Sequence, residues 1–205
     1  LVLSQEQMAF FMALGPRLLA FYRAMNRLYS ESVKGTQPAW VAQYLDQGKP
    51  ESLIAYSRMK RFRDDLPAVI RPDVIPTHDG MVITELDSVP GGIGLTACMT
   101  QHYGGLEPPP LSLIGGRDGM VRGFAAMLRA RQGTRPGCVA LVVSEEAKDY
   151  RPEMRWLAGQ LRAQGLDVVF LEPRDVRFTE EGLFVQTATG TTPIALLYRF
   201  YELFD

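Results

Sequence analysis

Apolar residues recur at near-helical spacing from Met8 to Met25: Met8, Phe11, Met12, Leu18, Leu19, Tyr22 and Met25, with Arg17, Arg23 and Arg27 between them. This pattern predicts a helix over the first thirty residues with a core-facing apolar stripe. Ser4 is placed to cap it, and Glu6 lies in its first turn, where a carboxylate opposes the positive end of the helix dipole. Pro16, after Gly15, predicts a kink or a split. Pro38 opens a second short helix through Leu45. Residues 51–61 predict a third, which ends in the basic run Lys60-Arg61-Phe62-Arg63. That run reads as a solvated face. Its nearness to the next segment leaves an anion-binding role open.

The pattern then changes. Residues 71–87 read as a β-hairpin, with His78-Asp79-Gly80 as the turn, because Asp-Gly is a strong hairpin signal. Pro90-Gly91-Gly92-Ile93-Gly94 leads into a helix from Leu95 to Tyr103. Glu107-Pro108-Pro109-Pro110 reads as a stiff connector, and Gly115–Gly119 as the cap of a helix from Gly119 to Arg131. Gln132–Gly137 reads as a domain boundary between a charged helix end and a continuous apolar strand. Strand (137–143), helix (150–163) and strand (167–172) follow, which predicts a parallel pair with a right-handed crossover. Pro193–Tyr198 is a further apolar strand with Arg199 at its exit. The expected class is α/β: a helical N-terminal segment with a metal-site hairpin over 1–133, and a Rossmann-like α/β domain over 134–205, cut short at its C-terminal end.

Composition narrows the chemistry. The chain has 205 residues, 46% hydrophobic and 22% charged, with a net charge of −1. It allows one large or two small domains, and its near-neutral balance gives no electrostatic case for nucleic acid or an anionic membrane. Two cysteines, Cys98 and Cys138, sit in separate apolar contexts and read as buried thiols. There is no Cys-x-x-Cys and no His cluster, so a structural zinc site is not expected. His78 falls in the turn and His102 near a helix end. No stretch is long and apolar enough to span a bilayer, and a signal peptide is not expected, because no basic region precedes an apolar run in the opening residues. The expected location is cytoplasmic. Neither a P-loop nor Gly-x-Gly-x-x-Gly is present, so NAD or FAD is not expected. Ser144-Glu145-Glu146, at a strand end, has a candidate place at a pocket edge.

The chemistry concentrates in Arg71-x-Asp73 and Glu85-x-Asp87. Residues two apart on a strand share a face, and the hairpin folds Arg71 and Asp73 back toward Glu85 and Asp87. Clustered carboxylates repel and need a cation or a raised pKa to coexist. Hard oxygen ligands suit Mg²⁺. A solvated, charged strand face is the alternative. The Gly91-Gly92 turn before a helix N-terminus is an anion site or a tight turn that needs positive φ. Arg199 suits substrate carboxylate or phosphate, or equally a salt bridge at a domain edge.

The order Arg71-x-Asp73, hairpin, Glu85-x-Asp87, Pro90-Gly91 resembles the metal-binding end of ATP-grasp ligases, whose pattern ends Glu-x-Asn-x-x-Pro-Gly. The early position of this motif resembles the circularly permuted ATP-grasp group, which includes glutathionylspermidine-synthase-like proteins. Arg174-Asp175-Val, Glu181-Gly182-Leu183 and Leu197-Tyr198-Arg199 are similar to that group's later run. The resemblance covers roughly residues 60–205, the leading portion of the family pattern. It implies Mg²⁺ ligation by Asp73, Glu85 and Asp87, and phosphate or acyl-phosphate contact by Arg71. Ser88, Gly91, Gly92 and Arg199 would border phosphate or substrate. Asp87 departs from the family's Asn and adds a negative charge. The implied reaction joins a small-molecule or peptide carboxylate to an amine with ATP as co-substrate; homodimer formation is left open. The family's nucleotide-clamping half would be absent, so residues 1–205 alone are expected neither to hydrolyse nor to bind ATP tightly, with Phe200, Tyr201, Leu203 and Phe204 awaiting a covering partner. The alternative function is a non-catalytic ligand- or partner-binding α/β module that keeps the fold.

Overall fold

In the computed structural model of the protein, residues 2–106, 112–188 and 190–201 are described. The connector expected at Glu107–Pro110, and Leu203 and Phe204, lie outside them. The chain is mixed α/β and divides into two compact units, the first ending at Ser88 and the second starting at Val89. This differs from the boundary expected at 133/134. Residues 132–137 are internal to the second unit: Gln132 Nε2 donates to the Gly137 carbonyl (2.9 Å), and the helix before them packs Phe124 edge-on against Tyr198 (centroids 5.1 Å apart).

The first unit opens with α1 (Gln5–Val33). Ser4 caps it reciprocally: Gln7 N–H donates to Ser4 Oγ (3.2 Å), and Ser4 N–H to Gln7 Oε1 (2.9 Å). Of the kink or split expected at Pro16, the split is absent: the helix runs continuously through it. Leu14 and Leu18 on either side are buried, so packing carries the axis across the missing hydrogen bond. α2 (Ala39–Asp46) is held against α1 by buried Ser32, whose hydroxyl donates to the Pro38 carbonyl (2.6 Å) and accepts from Ala42 N–H (3.1 Å). α3 (Glu51–Ser57) is shorter than expected; extended Met59 separates it from a 3₁₀ turn, Lys60–Phe62.

β1 (Arg71–Thr77) and β2 (Gly80–Asp87) form a two-stranded antiparallel sheet. Its turn is His78-Asp79, with Gly80 at φ 127°. The ladder pairs Val74 with Ile83 and Asp73 with Glu85, so Thr84 is an extra residue in a bulge. The register sorts the sheet. Pro72, Val74, Pro76, Met81, Ile83 and Leu86 fall on one face, half-buried except at Pro76 and Ile83, while Arg71, Asp73, Ile75, Val82, Glu85 and Asp87 fall on the other, exposed except at half-buried Asp87.

The second unit contains α4 (Ile93–Tyr103), α5 (Gly119–Gln132) and α6 (Arg151–Ala163) around a five-stranded sheet. The strands are β3 (Cys138–Val143), β4 (Val168–Leu171), β5 (Val176–Thr179), β6 (Gly182–Thr187) and β7 (Gly190–Phe200), in the order β4-β3-β7-β6-β5. β3 pairs parallel with β4, joined through α6 as the pattern predicts, and parallel with β7. β5 and β6 were not predicted; they form an antiparallel meander on the first part of β7. Every residue of β3 is buried. Cys138, Ala140 and Val142 pack with Leu171 and Val185 on one face. Phe200 is buried against Tyr150 (centroids 4.7 Å apart), which corrects its expected exposure.

α4 meets α6 at close quarters. A Cβ on Gly94 would lie 2.5 Å from the Glu153 carbonyl oxygen, and one on Gly91 would lie 2.4 Å from the Tyr150 ring. Gly92 takes φ 81° as the N-cap of α4, a conformation that suits glycine. The Glu153 carboxylate then accepts from Gly92 N–H and Leu95 N–H (both 2.8 Å), serving two of the helix's open amides.

Cys98 is half-buried rather than buried, with Sγ 3.8 Å from His102 Nδ1; only Cys138 is enclosed, and burial raises its thiol pKa. In the native protein Cys98 should therefore be alkylated well ahead of Cys138, and unfolding should equalise them; mass-resolved labelling checks this. Glu153→Ala should destabilise the protein by about 1–2 kcal/mol, the scale of a lost helix cap with two amides left open, as read by urea denaturation.

Candidate functional site

The hairpin register brings the four predicted charges together in two rungs. Arg71 stands opposite Asp87, and Asp73 opposite Glu85. Partners directly opposite in an antiparallel ladder share a face, so all four lie on the same side of the sheet. Its origin is local: alternation on β1 sets Arg71 and Asp73 two apart, alternation on β2 does the same for Glu85 and Asp87, and the Thr84 bulge brings the two sets into line. The Thr84 hydroxyl donates to the Asp73 carbonyl (3.3 Å) across the bulge.

Arg71 organises the cluster. Its Nε lies 3.3 Å from Asp73 Oδ1 and its Nη2 lies 3.4 Å from Asp87 Oδ2. One guanidinium thus answers an acid on its own strand and an acid on the neighbouring strand. The Glu85 carboxylate is exposed and has no ion-pair or hydrogen-bond partner among the described residues. Ser88, just past β2, shares a hydrogen bond with the Tyr22 hydroxyl of α1 (2.7 Å), which ties the end of the hairpin to the long helix. Tyr22 is a residue that sequence reasoning placed only in the apolar stripe; its phenol tip reaches the end of the hairpin.

The donor chemistry and the register fit a hard divalent cation, because three carboxylates on one exposed face offer oxygen ligands of the kind Mg²⁺ takes. The side-chain positions adopted do not gather them: among the described residues no group of three or more His, Cys, Asp or Glu is arranged around a common point. Arg71 and Asp73 are 44% and 49% exposed, and pairs of that kind contribute only about 0–1 kcal/mol. Their rearrangement requires no change in the ladder.

The remaining predicted residues belong to the second unit. At the Gly91-Gly92 turn the open amides of α4 are engaged by Glu153, so the protein's own carboxylate stands where an external anion was expected. Gly91 makes room for Tyr150. Arg199 turns its Nη1 toward the Tyr201 carbonyl. Ser144-Glu145-Glu146 is drawn into an ion-pair network around Arg151, which bonds the Ser144 carbonyl (3.2 Å), Glu145 (2.8 Å) and Glu172 (3.3 Å). The hydrogen bond from Arg151 pulls the Glu145 carboxyl below its ordinary value. Arg151 sat inside a predicted helix; its position just after a strand end, among Glu145, Glu146 and Glu172, was the available signal.

No helix among the described residues is long and apolar enough to cross a membrane. No family model matches the chain, and no curated protein or solved structure matches it.

Proposed function

We propose that the chain is part of an ATP-dependent ligase that joins a carboxylate to an amine through an acyl-phosphate, with the hairpin as its metal and phosphate end. The observation that carries this reading is the register of Arg71 with Asp87 and of Asp73 with Glu85, which sets three oxygen donors and one guanidinium on a single exposed face. The order of these residues is that of the ATP-grasp pattern the sequence resembles, with Asp87 in place of the family's Asn. Asp73, Glu85 and Asp87 are the residues that would hold Mg²⁺, and the ion would neutralise charge on the transferring phosphate. Arg71 would leave its two aspartates for a phosphoryl oxygen, a stronger partner for a guanidinium than an exposed carboxylate. Glu85, without a partner of its own, is the first carboxylate available to a cation. Tyr22 would hold Ser88 and fix where the chain leaves the metal end. The ATP-grasp-like reading of residues 1–133, the Rossmann-like reading of residues 134–205, and a cytoplasmic location belong to the same proposal.

A second reading is favoured by a specific observation. Arg71 already bridges Asp73 and Asp87, and a face that engages part of its own charge in this way is what a non-catalytic ligand- or partner-binding module would display.

Metal binding separates the two. Under the ligase reading, Mn²⁺ used as a paramagnetic stand-in should broaden the NMR signals of Asp73, Glu85 and Asp87 first. Arg71→Ala should strengthen that binding by freeing two ligands, while lowering ATP turnover. Glu85→Gln, at an exposed position, should leave the melting temperature unchanged and reduce Mg²⁺-dependent ATP turnover about 10²–10³-fold in the intact protein. Absence of Mg²⁺-dependent ATP turnover in the intact wild-type protein, with no selective broadening at the hairpin, would establish the module reading; unchanged turnover in Glu85→Gln would show that catalysis does not run through the hairpin.

A further inference from the structure

The basic run after α3 and the polar side of α1 enclose a groove in the first unit. One compartment, of about 280 Å³, is lined by Arg23, Asn26, Arg27, Arg63, Asp64 and Leu66. An adjoining one, of about 380 Å³, shares Asn26 and Arg63 and adds Tyr29, Val33, Met59 and Phe62 along with Lys34, Arg58 and Lys60. The charges in this groove are not equivalent. Arg27 is committed to Glu31 (2.7 Å), and its hydrogen bond holds the Glu31 carboxyl below the usual range. Arg58 is committed to Asp46 and the Tyr29 hydroxyl. Asn26 donates to the Asp65 carbonyl (3.0 Å), which fixes the 63–66 segment beside α1. Arg23 and Arg63 are different: neither guanidinium has an ion-pair or hydrogen-bond partner among the described residues, and they line the same compartment from separate elements. Asp64 on the rim reduces the positive excess without reversing it.

We propose that this groove binds a small organic phosphate. The phosphate sits between Arg23 and Arg63, and an apolar or ring-bearing body lies in the adjoining compartment against Tyr29, Val33, Met59 and Phe62. Two guanidinium groups held apart by a scaffold suit the several oxygens of a phosphate, and charge-assisted bonds of this kind are the strong ones. Tyr29, Val33, Met59 and Phe62 give the body an apolar wall in a compartment that Lys34, Arg58, Lys60 and Asp65 also line. The site neither uses the hairpin carboxylates nor depends on the ligase reading.

Titration of the chain with phenyl phosphate, glycerol 3-phosphate and inorganic phosphate tests it, followed by calorimetry and by NMR shifts. Phenyl phosphate should bind the most tightly, with shifts centred on Asn26, Tyr29, Phe62 and Arg63. Binding should weaken as salt rises, since exposed charges are screened. Arg23→Ala with Arg63→Ala should reduce affinity at least about tenfold, the scale of one lost charged hydrogen bond, with the melting temperature unchanged because both side chains are exposed. A preference for glycerol 3-phosphate would overturn the role of the apolar compartment. Equal binding by the double variant, shifts centred elsewhere, or no saturable binding below about 1 mM would overturn the site.

Discussion

Burial of β3 on both faces is the constraint on which the second unit depends. All six of its residues are enclosed, so a layer must cover each side and a strand must pair with each edge. β4 and β7 supply the edges. Phe124 from α5 against Tyr198, and Arg155 from α6 over the Phe170 ring (4.7 Å), mark one covered side, while the Cys138-Ala140-Val142 cluster marks the other. α4 packs in turn against α5 and α6, and approaches α6 closely at Gly94. Glu153 turns that contact into a bond by satisfying the amides which that crowding would otherwise leave without a partner.

Long periodic segments were legible in the sequence and short ones were not. α1 announced itself through Ser4, Glu6 and its apolar spacing; β3, α6 and β4 through a run of apolar residues, a Pro near a helix start, and a second such run. β5 and β6 were missed because Val176–Thr179 and Gly182–Thr187 are short and one-sided, and their pairing with β7 is a tertiary fact. Pro16 misled because propensity speaks of an isolated helix, whereas Leu14 and Leu18 are held by packing. The end of α3 was misplaced for a related reason: the apolar run continues through Met59, but its backbone does not.

At the hairpin, residue types and spacing predicted the shared face, and the ladder has it. The details lay beyond one-dimensional reading. That Arg71 reaches Asp73 and Asp87 together depends on the rung opposite it. That the Gly92 and Leu95 amides are already engaged depends on Glu153, which lies far along the chain and carries no mark of that task. Local patterns reveal which groups can meet; competition for those groups is decided by partners distant in sequence.

Thr84 has a consequence for how the hairpin keeps its place. If the ladder ran straight through it, Thr84 would face Asp73, and Glu85 and Asp87 would each move one rung, onto the side that carries Pro72, Val74 and Met81, while Leu86 would leave that side to face Arg71. Two carboxylates would then press into the apolar layer, without Arg71 to answer them. The misaligned hairpin is thereby penalised twice, by desolvation and by lost charge pairing. The acidic face thus acts as a gauge of strand alignment, and it would do so whether or not an ion ever binds there.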